Sequence, residues 1–86
     1  MDELFSPGQR VRIRIDPDCQ QQFIDHGIAP RLNGLVGQVV RVEPERANQH
    51  YYWVMFTGAW ETGLDHPRTV TNPRMYFAPS ELEGLV

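Results

Sequence analysis

Three histidines and one cysteine are the residues of this chain best suited to metal binding or nucleophilic chemistry. His26, His50 and His66 are far apart in sequence, and no two of them have the His-x-x-x-His spacing of a shared metal site. Cys19 is the one cysteine, so the chain has neither a Cys-x-x-Cys pair nor an internal disulfide. The sequence therefore predicts no metal site and no cofactor.

The sequence also lacks the groups that catalysis by this chain alone would require. Cys19 and His26 would need an oxyanion hole and a third group that orients the histidine, and no motif supplies either. The aspartates of segment 16–25 lack the glycine and the terminal glutamate of a calcium loop, and the proline between the first two predicts a turn. Since phosphate loops and nucleotide fingerprints are missing too, we expect a protein that is not an enzyme and has no catalytic residues.

Arginine and aromatic residues form the pattern most suited to binding. Arginine occupies alternate positions of one predicted strand, another arginine lies on the next strand, and a tyrosine and a tryptophan lie on the third. Guanidinium planes stack on aromatic rings, and surfaces of this kind hold single-stranded nucleic acids. The alternative is the solvated face of a half-buried sheet, which a net charge of −3 favours. The predicted nucleic-acid-binding residues are Arg10, Arg12, Arg14 and Arg41.

Trp60 stands in a glycine-flanked segment, "TGAWETG". It either closes the open end of the fold or is displayed as an anchor for a partner, as interface tryptophans are. Together with three other residues it makes up the predicted partner-binding set, which is Trp60, Trp53, Tyr51 and His26.

The elements that must position these residues begin with "RVRIRID", residues 10–16. Its strict alternation of branched apolar residues and arginine predicts a half-buried strand with the arginines exposed. Residues 16–33 lose this pattern and predict a long loop with a short helix at most. The predicted core consists of Val11, Ile13, Ile15, Val39, Val42, Val54 and Phe56.

"RLNGLVGQVVRV", residues 31–42, places two glycines before a valine-rich run. Asn33 and Gly34 predict a turn, because both residue types tolerate the left-handed region. Gly37 predicts a close backbone approach, and the three-residue spacing of Val39 and Val42 predicts a bulge that turns both inward. A third strand covers 51–56, with its even-numbered residues facing either in or out.

The second half of the chain holds more turns. Residues 57–68 predict an excursion without strands, and 69–77 predict a hairpin that turns at 72–74. Ser80 is expected to cap one turn that runs through Glu83, and residues 85–86 to add a last strand. Five short strands with long loops and one late helical turn describe an all-β fold, a small five-stranded barrel in a single domain, residues 1–86.

Two motifs in this pattern resemble known barrels. "F-x-P-G-x-R-V" followed by "N-G-x-x-G-x-V-x-x-V" is similar to SH3-like barrels of the KOW kind, and "YFAPSELEGL" resembles the way such barrels end. "HGIAPRLNGLVGQV" also resembles the small barrel of the nitrile hydratase β subunit, although Ile28 and Ala29 stand where that barrel has a loop arginine.

The resemblance and the composition together give three expectations for function. The first is a non-catalytic protein-interaction or accessory-subunit module, the second a KOW-like module that binds RNA or DNA, and the third a subunit of a metalloenzyme whose metal lies in another chain. The acidic start and the lack of a long apolar run predict a cytoplasmic protein without a membrane partner. An unpaired strand at the edge of a sheet can pair with another copy of the chain, so a homo-oligomer is also among the expectations.

Overall fold

The computed structural model describes residues 5–28, 31–44, 50–63 and 65–85, with the backbone alone at positions 44 and 50. Its elements follow one another as β1 (Arg10–Ile13), α1 (Pro17–Asp25), β2 (Val36–Pro44), β3 (His50–Met55), β4 (Ala59–Thr62), β5 (Arg68–Thr71), β6 (Arg74–Phe77), a 3-10 helix (Pro79–Glu81) and β7 (Leu82–Gly84).

Within the described ranges, seven strands form two antiparallel sheets. The larger sheet has the order β6-β3-β2-β1-β7, and β4 pairs with β5 in a two-stranded sheet. A mostly β fold was predicted, and it is confirmed. Within the described part of the chain β6 and β7 do not pair with each other, so the larger sheet is open rather than closed into a barrel.

The alternation of β1 places its apolar residues in the core, as predicted. Val11 and Ile13 are fully buried, whereas Arg10, Arg12 and Arg14 are exposed. All the predicted core residues are buried except Val42, which is partly buried and packs against the core. On β3 the even-numbered residues face inward, and Tyr52 and Val54 are fully buried.

Strand β2 has the predicted bulge. Val39 pairs with Val54 and Arg41 pairs with Trp53, so Val40 is an extra residue. Gly37 makes the predicted close approach, because a Cβ atom there would overlap Val54 Cγ1 and lie 2.9 Å from the Met55 carbonyl oxygen.

Helix α1 is the first departure from the sequence-based expectation. Nine residues are helical where we expected a loop with a short helix at most. Asp16 is the N-cap and accepts a 2.8 Å hydrogen bond from Asp18 N, and Pro17 occupies the first turn. An Asp-Pro pair that predicts a turn is equally suited to begin a helix, because proline needs no donor there.

The expected excursion and hairpin between residues 57 and 77 are also wrong. Residues 59–62 form β4, and β5 pairs with β4 instead of folding back on β6. The chain crosses from one sheet to the other at Asn72, whose φ is 50°. Asn72 N donates to Gly58 O, and Phe56 N donates to Pro73 O, so this crossing is bonded to the end of β3.

The C-terminal turn begins earlier than predicted. Glu81, rather than Ser80, makes the cap, since its Oε1 accepts a 2.8 Å hydrogen bond from Ala78 N. Glu83 lies in β7 and pairs with Arg12. The last strand therefore covers 82–84 instead of 85–86, and Val86 lies outside the described residues.

Candidate binding surface

Three aromatic residues lie together on the outer face of the larger sheet. Tyr51 and Trp53 are alternate residues of β3, and Tyr76 lies beside them on β6. The ring centroids of Tyr76 and Trp53 are 5.2 Å apart, and those of Tyr76 and Tyr51 are 5.8 Å apart. Tyr76 is 60% exposed, while the other two are half-buried. We call these three residues the aromatic face.

The strand period and the register of β3 with β6 explain this cluster. Tyr52 and Val54 occupy the inner face, so the residues between and beside them must point outward. Trp53 is directly opposite Tyr76. Because Phe56 N bonds to Pro73 O, the Trp53–Tyr76 pair is of the type without mutual hydrogen bonds, in which side chains approach more closely.

Polar residues of β2 border the aromatic face. Arg41 is opposite Trp53, and its Nη2 lies 3.3 Å from Glu43 Oε1. The other oxygen of Glu43 accepts a 2.9 Å hydrogen bond from the Trp53 indole nitrogen. The Glu43 carboxylate thus holds both the arginine and the indole in place.

The remaining predicted arginines lie on the same sheet but farther from the rings. Glu83 Oε1 is 3.4 Å from Arg12 Nη1, and Glu83 Oε2 is 3.1 Å from Arg14 Nη1. Arg10 is opposite Gln38 and has no ion pair among the described residues. Exposed pairs of this kind add little stability, but they offset the positive charge that a phosphate would meet.

Trp60 and His26 lie elsewhere. Trp60 is only 8% exposed, and its ring centroid is 4.9 Å from that of Phe56, so it lies in the core. Of the two roles predicted for it, the structure favours closing the fold over display to a partner. His26 ends helix α1, where its Nδ1 is 2.7 Å from Gln22 O. The next residue, Gly27, accepts a hydrogen bond from Gly63 N, so this helix end lies against the smaller sheet.

A mostly apolar groove of about 450 Å³ runs beside the aromatic face, at the β6 edge of the sheet. Phe23 on helix α1 and Met75 in β6 both line it, and both pack partly against the core. We call this the edge groove, and its lining residues are Phe23, Trp53, Arg74, Met75, Tyr76, Phe77 and Glu81.

The surroundings of Cys19 oppose nucleophilic chemistry. Burial raises the pKa of its thiol, and the charges of Glu81 and Asp16 raise it further. His26 is seven residues along the same helix, about 10 Å farther along the axis, too far to take the thiol proton. In the described ranges no group of three His, Cys, Asp or Glu residues is arranged to hold a metal ion.

Sequence reasoning missed Tyr76, Arg74 and Phe23 as surface residues. Tyr76 and Arg74 fell within an expected hairpin, and their outward direction follows from pairing with β3 instead. The spacing in "RMYF" does carry a signal, because Met75 and Phe77 alternate with them. Nothing in the sequence places Phe23 beside β6.

No family model, no curated protein and no solved structure matches the chain. Within the described residues, helix α1 is too short and too polar to cross a membrane. The cytoplasmic location stays a prediction.

Proposed function

We propose that this chain is a non-catalytic protein-interaction or accessory-subunit module, built as an open SH3-like barrel, that binds its partner through the aromatic face. For the fold, support comes from the strand order β6-β3-β2-β1-β7. The last strand pairs with the first, and a single 3-10 turn leads into it, which is how the resembling barrels end.

The exposure of Tyr76 carries the binding proposal. A side chain that is 60% exposed and contacts two further rings offers apolar area at a low cost in side-chain entropy. Tyrosine, tryptophan and arginine are the residues that anchor protein interfaces, and all three types meet here. Trp60, one of the predicted anchors, is buried and is not part of this surface.

Nucleic-acid binding is the second candidate, because Arg41 lies directly opposite Trp53 on the same face. Stacking rings beside a guanidinium suit single strands. Against it, Arg12 and Arg14 share Glu83, Arg41 is paired with Glu43, and the chain carries a net charge of −3. A subunit of a metalloenzyme, with the metal in another chain, stays a third and separate alternative.

Photo-crosslinking separates the two candidates. A photoreactive amino acid in place of Tyr76 is expected to form adducts with protein when cells that produce the chain are irradiated. The same amino acid in place of Thr69, which is exposed on β5 of the smaller sheet, is the matched control and is expected to give no specific adduct.

Adducts at position 76 that are shortened by nuclease and contain no second protein by mass spectrometry would overturn the protein-binding proposal in favour of the second candidate. Equal adduct formation at positions 76 and 69 would contradict a role for the aromatic face.

A further inference from the structure

Strand β6 is an edge strand with backbone groups that point away from the sheet. Phe56 N bonds to Pro73 O, so the odd-numbered residues of this segment direct their backbone groups toward β3. Arg74 and Tyr76 therefore direct their N–H and C=O groups outward. Among the described residues these four groups have no hydrogen-bond partner, a state that invites pairing with another strand.

The edge groove follows the outer edge of β6, since Arg74, Met75 and Tyr76 all line it. Phe23 of helix α1 also lines it. A strand added to β6 would run about 4.8 Å from it and alternate its side chains between the two faces of the sheet. Side chains on one face would meet Met75 and Phe23, and those on the other would meet Tyr76 and Arg74.

The charged side chains that line the groove indicate which residues an added strand should contain. Arg74 is exposed and has no ion pair among the described residues, so it can pair with an incoming carboxylate. Glu81, at the other end of the groove, already uses Oε1 to accept from Ala78 N. The groove thus has at one end an arginine without an ion pair among the described residues. At the other end it has a carboxylate that already accepts a hydrogen bond.

From this arrangement we infer that the edge groove binds an extended acidic segment of a partner protein as an additional antiparallel strand beside β6. In the partner's chain direction, an aromatic residue lies opposite Tyr76, an aliphatic residue opposite Met75 and an acidic residue opposite Arg74. Main-chain hydrogen bonds to Arg74 and Tyr76 provide affinity, and the alternating side chains provide specificity. This inference rests on the proposed function and names the partner's chemistry.

The test uses a synthetic peptide, acetyl-Thr-Val-Tyr-Val-Glu-Val-Thr-amide, titrated into the isotope-labelled protein and followed by NMR. Binding is expected to shift the backbone amides of Arg74 and Tyr76 and to protect them from hydrogen exchange. The amide of Met75, which already points toward β3, is the internal control and is expected to keep its exchange rate.

Backbone methylation of the peptide tests strand addition directly. Methyl groups on the nitrogens of tyrosine and glutamate remove both donors that face β6, which should weaken binding about tenfold or more. A methyl group on the nitrogen of the central valine, which faces away from β6, is the matched control and should have little effect.

Charge reversal tests the orientation. R74E is expected to weaken binding of the glutamate peptide by about fivefold or more and to restore binding of a peptide with lysine at that position. R68E makes the same charge change on β5 and should alter neither titration. Unchanged binding to R74E, or equal losses for the two methylated peptides, would overturn the inference.

Two further outcomes separate this inference from the proposal on which it rests. Protein adducts at position 76 without any peptide binding would overturn strand addition and leave the interaction module standing. Amide shifts of Arg74 and Tyr76 that depend on protein concentration alone would show a second copy pairing along β6, and would overturn the acidic segment as the occupant.

Discussion

At the residue scale, Gly37 allows β2 and β3 to approach each other more closely than any side chain would permit. The space in which its Cβ would lie is occupied by Val54 Cγ1 and the Met55 carbonyl oxygen. Gly37 is opposite Val11 in β1, so it lies in the middle of the larger sheet. Glycine in the interior of a strand loses more conformational entropy on folding than other residues do. The close backbone approach that it allows compensates for this loss.

We expect Gly37→Val to lower the free energy of unfolding by about 1–3 kcal/mol or more, because the added side chain overpacks a rigid part of the core. Gln38→Val, one position along and exposed, is the control and should change stability little. Urea unfolding followed by intrinsic fluorescence measures both. Equal midpoints for the two variants would contradict the close approach.

At the element scale, a single asparagine joins β1 to helix α1. Asn33 Oδ1 accepts a 2.6 Å hydrogen bond from Ile15 N, and its Nδ2 donates to Ile15 O at 2.9 Å. Its backbone N–H donates to the buried Gln20 side chain at 2.7 Å. The side chain of Asn33 thus pairs with the backbone of Ile15, two residues after the end of β1, and its backbone is bonded to the helix that follows.

Asn33→Ala should lower the free energy of unfolding by about 1–3 kcal/mol, because it leaves the partly buried backbone groups of Ile15 unpaired. Asn33→Asp keeps the acceptor but places a carboxylate oxygen where Nδ2 donates to Ile15 O, so we expect a loss at least as large as that of Asn33→Ala. Gln21→Ala removes an exposed hydrogen bond to Asp25 and serves as the control. Thermal unfolding followed by circular dichroism gives the order, and an Asn33→Ala midpoint no lower than that of Gln21→Ala would refute the role.

At the scale of the whole molecule, Trp60 connects the two sheets. It lies on β4 in the smaller sheet, and its ring packs on Phe56, which directly follows β3. Ile28 adds a second link to this sheet through its bridge with Thr62. The residues of β5 are all exposed. In the described part of the smaller sheet, Trp60 is therefore the large side chain that packs into the core.

Trp60→Ala should destabilise the protein by about 3–5 kcal/mol, the cost of removing a buried tryptophan side chain. Tyr76→Ala, in which an exposed ring is removed, should cost far less. Differential scanning calorimetry of the two variants measures this contrast. A small loss for Trp60→Ala would mean that the residue is displayed rather than buried.

Features that depend on a local pattern of residues could be predicted from the amino-acid sequence alone. The two-residue period of β1 assigned its inward and outward faces, because alternate side chains of any strand point to opposite sides. The irregular valine spacing and Gly37 predicted a bulge and a close approach, and both are present. All of these signals lie within a few neighbouring residues.

Which of the outward-facing residues come together depends on how the strands pair. The bulge at Val40 reverses the alternation of β2, so Arg41 and Glu43 face the same side as Trp53. Pairing of β6 with β3 brings Tyr76 to that side, and packing of the Trp60 ring on Phe56 buries Trp60. Strand pairing depends on contacts between residues far apart in the chain, and a local pattern is equally compatible with several partners.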